Sequence, residues 1–298
     1  MMDGVLVIDK PEGPTSHDVV ARCRRALGTP AIGHLGTLDP LATGVLVLVV
    51  GRATRLAQFL SGQPKSYDAT FRLGLTTDTW DRTGTALRAS ESSTGPGQSA
   101  VAAALSGFLG RHPQMPPPFS AKKIEGVRAH ELARRGRPVA VQPAMVELLD
   151  CALVAVDYPL GRLRLRSSAG YYVRSLVHEL GEALGCGACL EDLRRTASGP
   201  FTLEDALPLA AVEEDPSRAV ARAVPMERLL PTLPAVRLDA ESARRAGHGN
   251  EIPVPAGFGW PDVAAAPAVR LLAPDGSLLG IARASGRAGF LHPAVVLK

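Results

Sequence analysis

The chain has 298 residues, 46% of them hydrophobic and 21% charged, with a formal net charge of +4 and a sequence pI near 9.0. That much apolar material supports one large core and a smaller one, which excludes wholesale disorder. No apolar run approaches the ~20 residues of a membrane-spanning helix. Four cysteines without a framework pattern, and an N-terminus that carries Asp3 and Asp9 around a short Val-Leu-Val-Ile run, predict a cytoplasmic protein with no signal peptide.

In chain order, Gly4 to Ile8 reads as a short apolar strand that ends at Asp9-Lys10-Pro11. Thr15 or Ser16 then caps a helix with Val19, Val20, Cys23 and Leu27 on one face, which Gly28 stops. Arg22, Arg24 and Arg25 of that helix are expected to face solvent.

Residues 33–44, Gly-His-Leu-Gly-Thr-Leu-Asp-Pro-Leu-Ala-Thr-Gly, set a lone carboxylate, Asp39, between glycine-rich turns. The apolar run Val45 to Val50 behind it reads as a buried strand. Pro40 keeps Asp39 out of helical geometry. A carboxylate on a stiff loop at a sheet edge suits a nucleophile or a general base; an aspartate that only caps a turn has the same local signature.

Arg52 to Leu60 reads as a helix. The alternation of Tyr67, Ala69, Phe71 and Leu73 against Asp68, Thr70 and Arg72 predicts a strand over 66–73. A polar turn follows, Thr77-Asp78-Thr79-Trp80-Asp81, whose Asp81 could join a polar network. Residues 90–99 have loop composition and are expected to be flexible, and a helix is predicted from Val101 to Leu109. Pro113 and the run Pro116-Pro117-Pro118 forbid regular structure locally. Ala129 to Arg135 reads as a short helix closed by Gly136.

The segment after those prolines carries Lys122, Lys123, Arg128, Arg134, Arg135 and Arg137 against Glu125 and Glu131, a local excess equal to that of the whole chain. Concentrated positive charge of this kind fits contact with a phosphate backbone, or a solvated helix face. Two antiparallel strands, Glu147 to Tyr158 and Arg162 to Ser167, come next. Leu163 and Leu165 face one way and Arg162, Arg164 and Arg166 the other. Gly170 leads into a helix whose apolar face is Val173, Leu176, Val177, Leu180 and Leu184, with Arg174 and His178 on a different face. Residues 204–228 read as outer helices. Past Pro231 and Pro234 lie a short helix (240–246) and strands over 268–272, 278–284 and 294–297, with a hairpin turn at Pro274-Asp275-Gly276. The predicted organisation is a domain over 1–230, interrupted by an excursion over about 113–140, and a small β-rich domain over 231–298.

Several segments together resemble one family, the bacterial tRNA pseudouridine(55) synthases of the TruB type. They are Gly4-Val-Leu-Val-Ile-Asp-Lys-Pro11, the Asp39 loop from Gly33 to Gly44, Lys65-Ser-Tyr-Asp68, Arg72-Leu-Gly74, Ser120-Ala-Lys-Lys123, Ala133-Arg-Arg-Gly136, Gly170-Tyr-Tyr-Val-Arg174, and Leu184-Gly-Cys-Gly187 with Leu193-Arg-Arg195. They occur in the family's order over about 195 residues.

The resemblance implies an α+β fold: a mixed, mainly antiparallel central sheet flanked by helices, then a β-rich PUA-like RNA-binding domain. It implies a reaction in which the N-glycosidic bond of a T-loop uridine in tRNA breaks, the base rotates and rejoins through carbon, with no cofactor and no metal. Asp39 takes the place of the catalytic aspartate, Arg174 of the arginine that holds it charged, and Tyr67 of the ring that stacks on the extruded base and serves in proton transfer. His34 matches the histidine that enters the T-loop, Tyr172 and Leu193 match positions lining the uracil pocket, and Lys10 is expected to steady the loops. The basic segment matches an RNA-gripping insertion on the tRNA T-arm, and no obligate protein partner or oligomer is expected. Leu35, Phe119 and His130 depart from the family's pattern, the first from a small residue and the others from tyrosine. Cys186-Gly-Ala-Cys189 lacks the two further ligands zinc would need. Two other readings stand beside the enzyme: a non-catalytic tRNA-folding module, and a synthase working in a guide-RNA complex.

Overall fold

The computed structural model describes residues 2–119, 123–124, 127–128, 142–255, 258–259 and 264–297, for 123–124 and 127–128 the backbone alone. In chain order come β1 (Gly4–Lys10), α1 (Ser16–Leu27), β2 (Ile32–His34) and β3 (Thr43–Val50). A 3-10 turn (Gly51–Leu56) runs into α2 (Ala57–Leu60), followed by β4 (Lys65–Leu73), the hairpin β5 (Leu75–Thr77) and β6 (Ala86–Ala89), α3 (Gln98–Ser106) and β7 (Gly110–Gln114). Two-residue strands β8 (Lys123–Ile124) and β9 (Val127–Arg128) precede β10 (Ala144–Asp157), β11 (Leu160–Ser167), α4 (Val173–Ala183) and β12 (Ala188–Ser198). Then come β13 (Phe201–Thr202), β14 (Leu207–Pro208), α5 (Leu209–Glu214), α6 (Pro216–Arg222) and β15 (Val224–Pro225). The last stretch holds β16 (Ala235–Arg237), α7 (Ala240–Gly247), β17 (Ile252–Pro253), β18 (Val269–Leu272), β19 (Leu278–Ala284) and β20 (Phe290–Val296).

The large sheet runs β14-β1-β3-β12-β4-β11-β10-β7. Its β12–β3 and β1–β14 pairs are parallel and the other pairs along this order antiparallel. It is the mixed, mainly antiparallel sheet of an α+β protein. A second sheet, β16-β18-β19-β20-β17, gathers the C-terminal strands.

The uninterrupted apolar run of β3 has a direct cause. Leu46, Leu48 and Val50 face a core shared with α1, while Val45, Val47 and Val49 face a second core that includes Ile281, Val295 and Leu297 of the C-terminal sheet. Buried on both faces, the run from Val45 to Val50 has no position where a polar residue is tolerated. Helix α1 begins with a capping box, Thr15 and Asp18 each satisfying the other's backbone N–H, and ends at Gly28 in the left-handed region.

Four expectations need correcting. Pro113 does sit in a strand: β7 is the outermost strand and pairs only with β10, so the missing N–H interrupts no ladder. Helix α3 starts and ends three residues earlier than its apolar pattern implied, between Gly97 and Gly107. Arg22 is half-buried in an ion pair with Glu213 of α5, whereas Arg24 and Arg25 are exposed as expected, Arg24 also donating to the Ile32 carbonyl. The fourth is an omission: β12, at the centre of the sheet, has no counterpart in the pattern reading, because Glu191, Asp192, Arg194 and Arg195 break its hydrophobic alternation. The helix read over 129–135 lies outside the described residues.

Candidate active site

The Asp39 loop crosses the end of the sheet between β2 and β3, and it is tied down from several sides. Ser16, at the start of α1, donates to the Leu38 carbonyl (3.0 Å) and accepts from the Leu38 N–H (2.8 Å). The Nζ of Lys10 donates to the carbonyls of Pro11, Pro40 and Ala42, at 2.9, 3.3 and 2.7 Å. Gly44, where the loop enters β3, has φ +96°, and a Cβ there would lie 2.2 Å from the Arg195 carbonyl oxygen. Only glycine permits that approach.

Helix α4 brings up Arg174. Its Nε lies 2.9 Å from Asp39 Oδ2, off the N–H axis, so the contact is an ion pair rather than an aligned hydrogen bond. Nη1 donates to the Thr79 carbonyl (2.9 Å) and stands 3.6 Å from Asp81 Oδ2, and Nη2 donates to the Phe119 carbonyl (2.9 Å). The other Asp81 oxygen accepts from the hydroxyls of Thr79 and Thr83 and from the Thr83 N–H. The guanidinium is buried, whereas the Asp39 side chain is about a third exposed (34%). Asp39 is thus open to an incoming group on one side and charge-paired on the other.

That open side is a cleft of about 260 Å³, toward the small end for ligand sites, whose lining includes Asp39, Tyr67, Tyr172, Arg174 and Leu193. Tyr67 is inward on β4, and burial raises its pKa while Arg195 opposes the rise. Gln114 holds the entry to α4 by bonding both the N–H and the carbonyl of Tyr172, at 2.8 and 3.0 Å. Ser175 donates to the Met115 carbonyl (2.7 Å). The chain that leads into the basic segment is therefore fastened to the helix that carries Arg174.

Of the residues singled out in the sequence, five meet at this cleft: Asp39, Tyr67, Arg174, Tyr172 and Leu193. Lys10 lies beneath the loop, fully buried, and burial depresses its pKa to about 8 against the opposing pull of Asp39. His34 is not among the lining residues; it sits edge-on to His17, ring centroids 5.5 Å apart, and burial lowers its pKa. Lys122, Arg134, Arg135 and Arg137 lie outside the described residues, and the side chains of Lys123 and Arg128 do as well.

Two charged lining residues, Lys65 and Arg195, stand within the sequence motifs but receive no role from the sequence. Both are buried, and Lys65 Nζ donates to the carbonyls of Ser61 (3.1 Å) and Gln63 (2.7 Å). Burial, with Arg195 adding to it, depresses the Lys65 pKa to about 8. Among the described residues the buried charged side chains are Lys10, Lys65, Asp81, Arg174 and Arg195, all at the cleft or the loop above it. The signal that could have found them is a charged residue on the inward register of a strand, opposite Tyr67. No group of histidine, cysteine or acidic residues placed to hold a metal occurs among the described residues.

Two solved structures share this fold over nearly the whole chain. The chain in a Cbf5-Nop10-Gar1 complex superposes with a TM-score of 0.73 at 25% identity, covering 100% of this chain and 85% of that one. That of an archaeal box H/ACA Nop10-Cbf5 complex gives 0.70 at 25% identity, over 99% and 86%. The N-terminal domain of the TruB family of pseudouridylate synthases matches residues 24–173, and the tRNA pseudouridylate synthase B C-terminal domain matches 174–231. Curated relatives called tRNA pseudouridine synthase B include one from Solibacter usitatus, 46% identical over 85% of this chain and 86% of that relative, and one from Burkholderia mallei, 43% identical over 95% and 94%. The chain belongs to the TruB family, and it is an isomerase.

Proposed function

We propose that this enzyme converts uridine to pseudouridine in the T-loop of tRNA, at position 55, using Asp39 as the catalytic carboxylate. The observation that carries the reading is the Asp39–Arg174 ion pair at the wall of a cleft closed by Tyr67, Tyr172 and Leu193. The curated relatives' names supply tRNA as the substrate.

The reaction conserves atoms. The bond from N1 to C1′ breaks, C5 bonds to C1′ in its place, the C5 proton leaves, and N1 ends protonated. Asp39 either attacks the sugar or removes a proton from it; both need the ionised carboxylate. Arg174 stabilises that form, and its own position is fixed by two carbonyls and Asp81. A base inside a folded loop is out of reach, so it must be extruded at a cost of a few kcal/mol. Stacking on Tyr67 offsets part of that, with Tyr172 and Leu193 as the other walls and His34 filling the vacated place in the T-loop. Lys122, Lys123, Arg128, Arg134, Arg135 and Arg137 contact the phosphates of the T-arm, and recognition is by the shape of the folded RNA. The residues beyond about 231 act as a PUA-like RNA-binding domain, and the residues before it as the catalytic domain. The enzyme works without a cofactor, as a monomer in the cytoplasm, where its four free cysteines stay reduced.

The test is to incubate wild type and Asp39→Asn with an unmodified tRNA transcript and map pseudouridine. Conversion at one T-loop uridine by wild type alone is the expected result. Tight binding without conversion by wild type would favour the non-catalytic folding module.

A further inference from the structure

We infer that Arg195 is a positioning residue for the reaction, a buried guanidinium that fastens the Asp39 loop to the strand carrying Tyr67. The inference rests on the reading of Asp39 as the reactive carboxylate.

The argument starts from register. Strand β12 lies between β3 and β4, and Arg195 is paired with Gly44 on one side and with Tyr67 on the other. It is 1% exposed. Its Nε donates to the Val45 carbonyl (2.7 Å), Nη2 to Gly36 (3.1 Å) and Nη1 to Thr37 (3.4 Å). Those carbonyls bracket Asp39, two before it and one after. The guanidinium also stands close to Tyr67, where it opposes the rise that burial gives the phenol's pKa.

Among the described residues no carboxylate pairs with Arg195. Burying an unpaired guanidinium is costly, and an apolar residue would fill a central strand position at less cost. The charge therefore needs another explanation. Its donors go to the loop carbonyls, and a fixed fork of donors suits several acceptors at once, as an ammonium would not. The consequence is geometric. One rigid group sets the distance between the carboxylate that acts on the sugar and the ring that receives the base. This differs from the role of Arg174, which meets the Asp39 carboxylate itself; Arg195 touches only the backbone around it.

The test uses full-length Arg195→Met and Arg195→Lys with unmodified tRNA transcript. It reads single-turnover pseudouridine formation, equilibrium tRNA binding, and amide hydrogen exchange over residues 36–45. The expected result for Arg195→Met is a rate constant lower by about 10- to 100-fold, the scale of a small misplacement of reacting groups, with tRNA affinity within about threefold. Exchange should quicken in the loop and not elsewhere, and Arg195→Lys should recover part of the rate. A folded Arg195→Met with an unchanged rate overturns the inference. So does loss of rate together with affinity and faster exchange throughout, or failure of both variants to fold, since the guanidinium would then hold the fold rather than the loop. Asp39→Asn run alongside separates the two claims. Conversion by that variant removes the reading of Asp39, whereas an inactive Asp39→Asn beside a fully active Arg195→Met removes only the role given to Arg195.

Discussion

Lys10 offers the sharpest physical test of how the loop is held. Its ammonium has three N–H donors and meets three carbonyls, those of Pro11, Pro40 and Ala42. It is fully buried, and burial brings its pKa from 10.5 down to about 8. Between those values the unfolded chain binds a proton that the folded chain has shed, so this lysine makes stability rise with pH across that window. Integrated from about pH 7.5 to about pH 9.5, one such group contributes about 2 kcal/mol. Other groups titrate nearby. Lys65 acts in the same sense, while burial raises Cys23, Cys151 and Cys189 to between about 11 and 12, which lowers stability as pH rises past the ordinary thiol range. The informative quantity is therefore a difference. Urea unfolding of wild type and Lys10→Met at both pH values should show the variant missing about 2 kcal/mol of pH-dependent gain, whatever the slope of the wild type. Identical pH dependence in the two proteins would mean that Lys10 keeps an ordinary pKa, and the account of the buried ammonium would fail.

Other substitutions probe the site directly. Arg174→Lys keeps the charge but cannot reach Asp39, Asp81 and the carbonyls of Thr79 and Phe119 together; single-turnover rate should fall by roughly 100-fold or more, about 3 kcal/mol, with tRNA affinity nearly unchanged. Gly44→Ala would drive a Cβ to 2.2 Å from the Arg195 carbonyl at a positive φ, so thermal unfolding should drop by the equivalent of about 3 kcal/mol or more. Tyr67→Phe keeps the ring and loses the hydroxyl that lies in the field of Arg195; affinity for tRNA should survive while conversion falls, and equal loss of both would contradict the division of labour. Replacing Lys122 and Lys123 with alanine should lower the slope of log affinity against log salt by about 1 to 2, measured on the same transcript.

The regular elements were legible wherever burial follows a simple period. Strand β4 alternates because one face is core, and α4 shows its apolar face because that face packs on the sheet. The two-faced burial of β3 is equally plain as a solid apolar run. Legibility failed where charge enters the interior. Arg195 occupies an inward position of β12, so the strand read as a polar stretch although it is the middle of the sheet. Lys65 misled in the same way at the start of β4. Pro113 misled in the opposite sense, because nothing local says that β7 is an edge. The trio proposed as catalytic is legible only through its motifs; composition and periodicity place Asp39 on a turn, Tyr67 on an inward strand face and Arg174 on a helix, and say nothing of their meeting.

One feature of the charge distribution explains why those failures cluster. Among the described residues four buried cations, Lys10, Lys65, Arg174 and Arg195, surround a single carboxylate that is about a third exposed, with Asp81 the one buried anion. Cations in such a number would attract any phosphate if their donors were free. Instead the donors of Lys10, Lys65 and Arg195 are directed at backbone carbonyls, and Arg174 alone turns an edge to Asp39. The positive field is thus fixed in place by the protein's own dipoles before any substrate arrives. On the proposed reading, an extruded base that fills the cleft and displaces water strengthens the field at the one group left exposed to it, without further rearrangement. A site built this way needs strands and loops that carry charge inward, which is the pattern that hydrophobic periodicity cannot read.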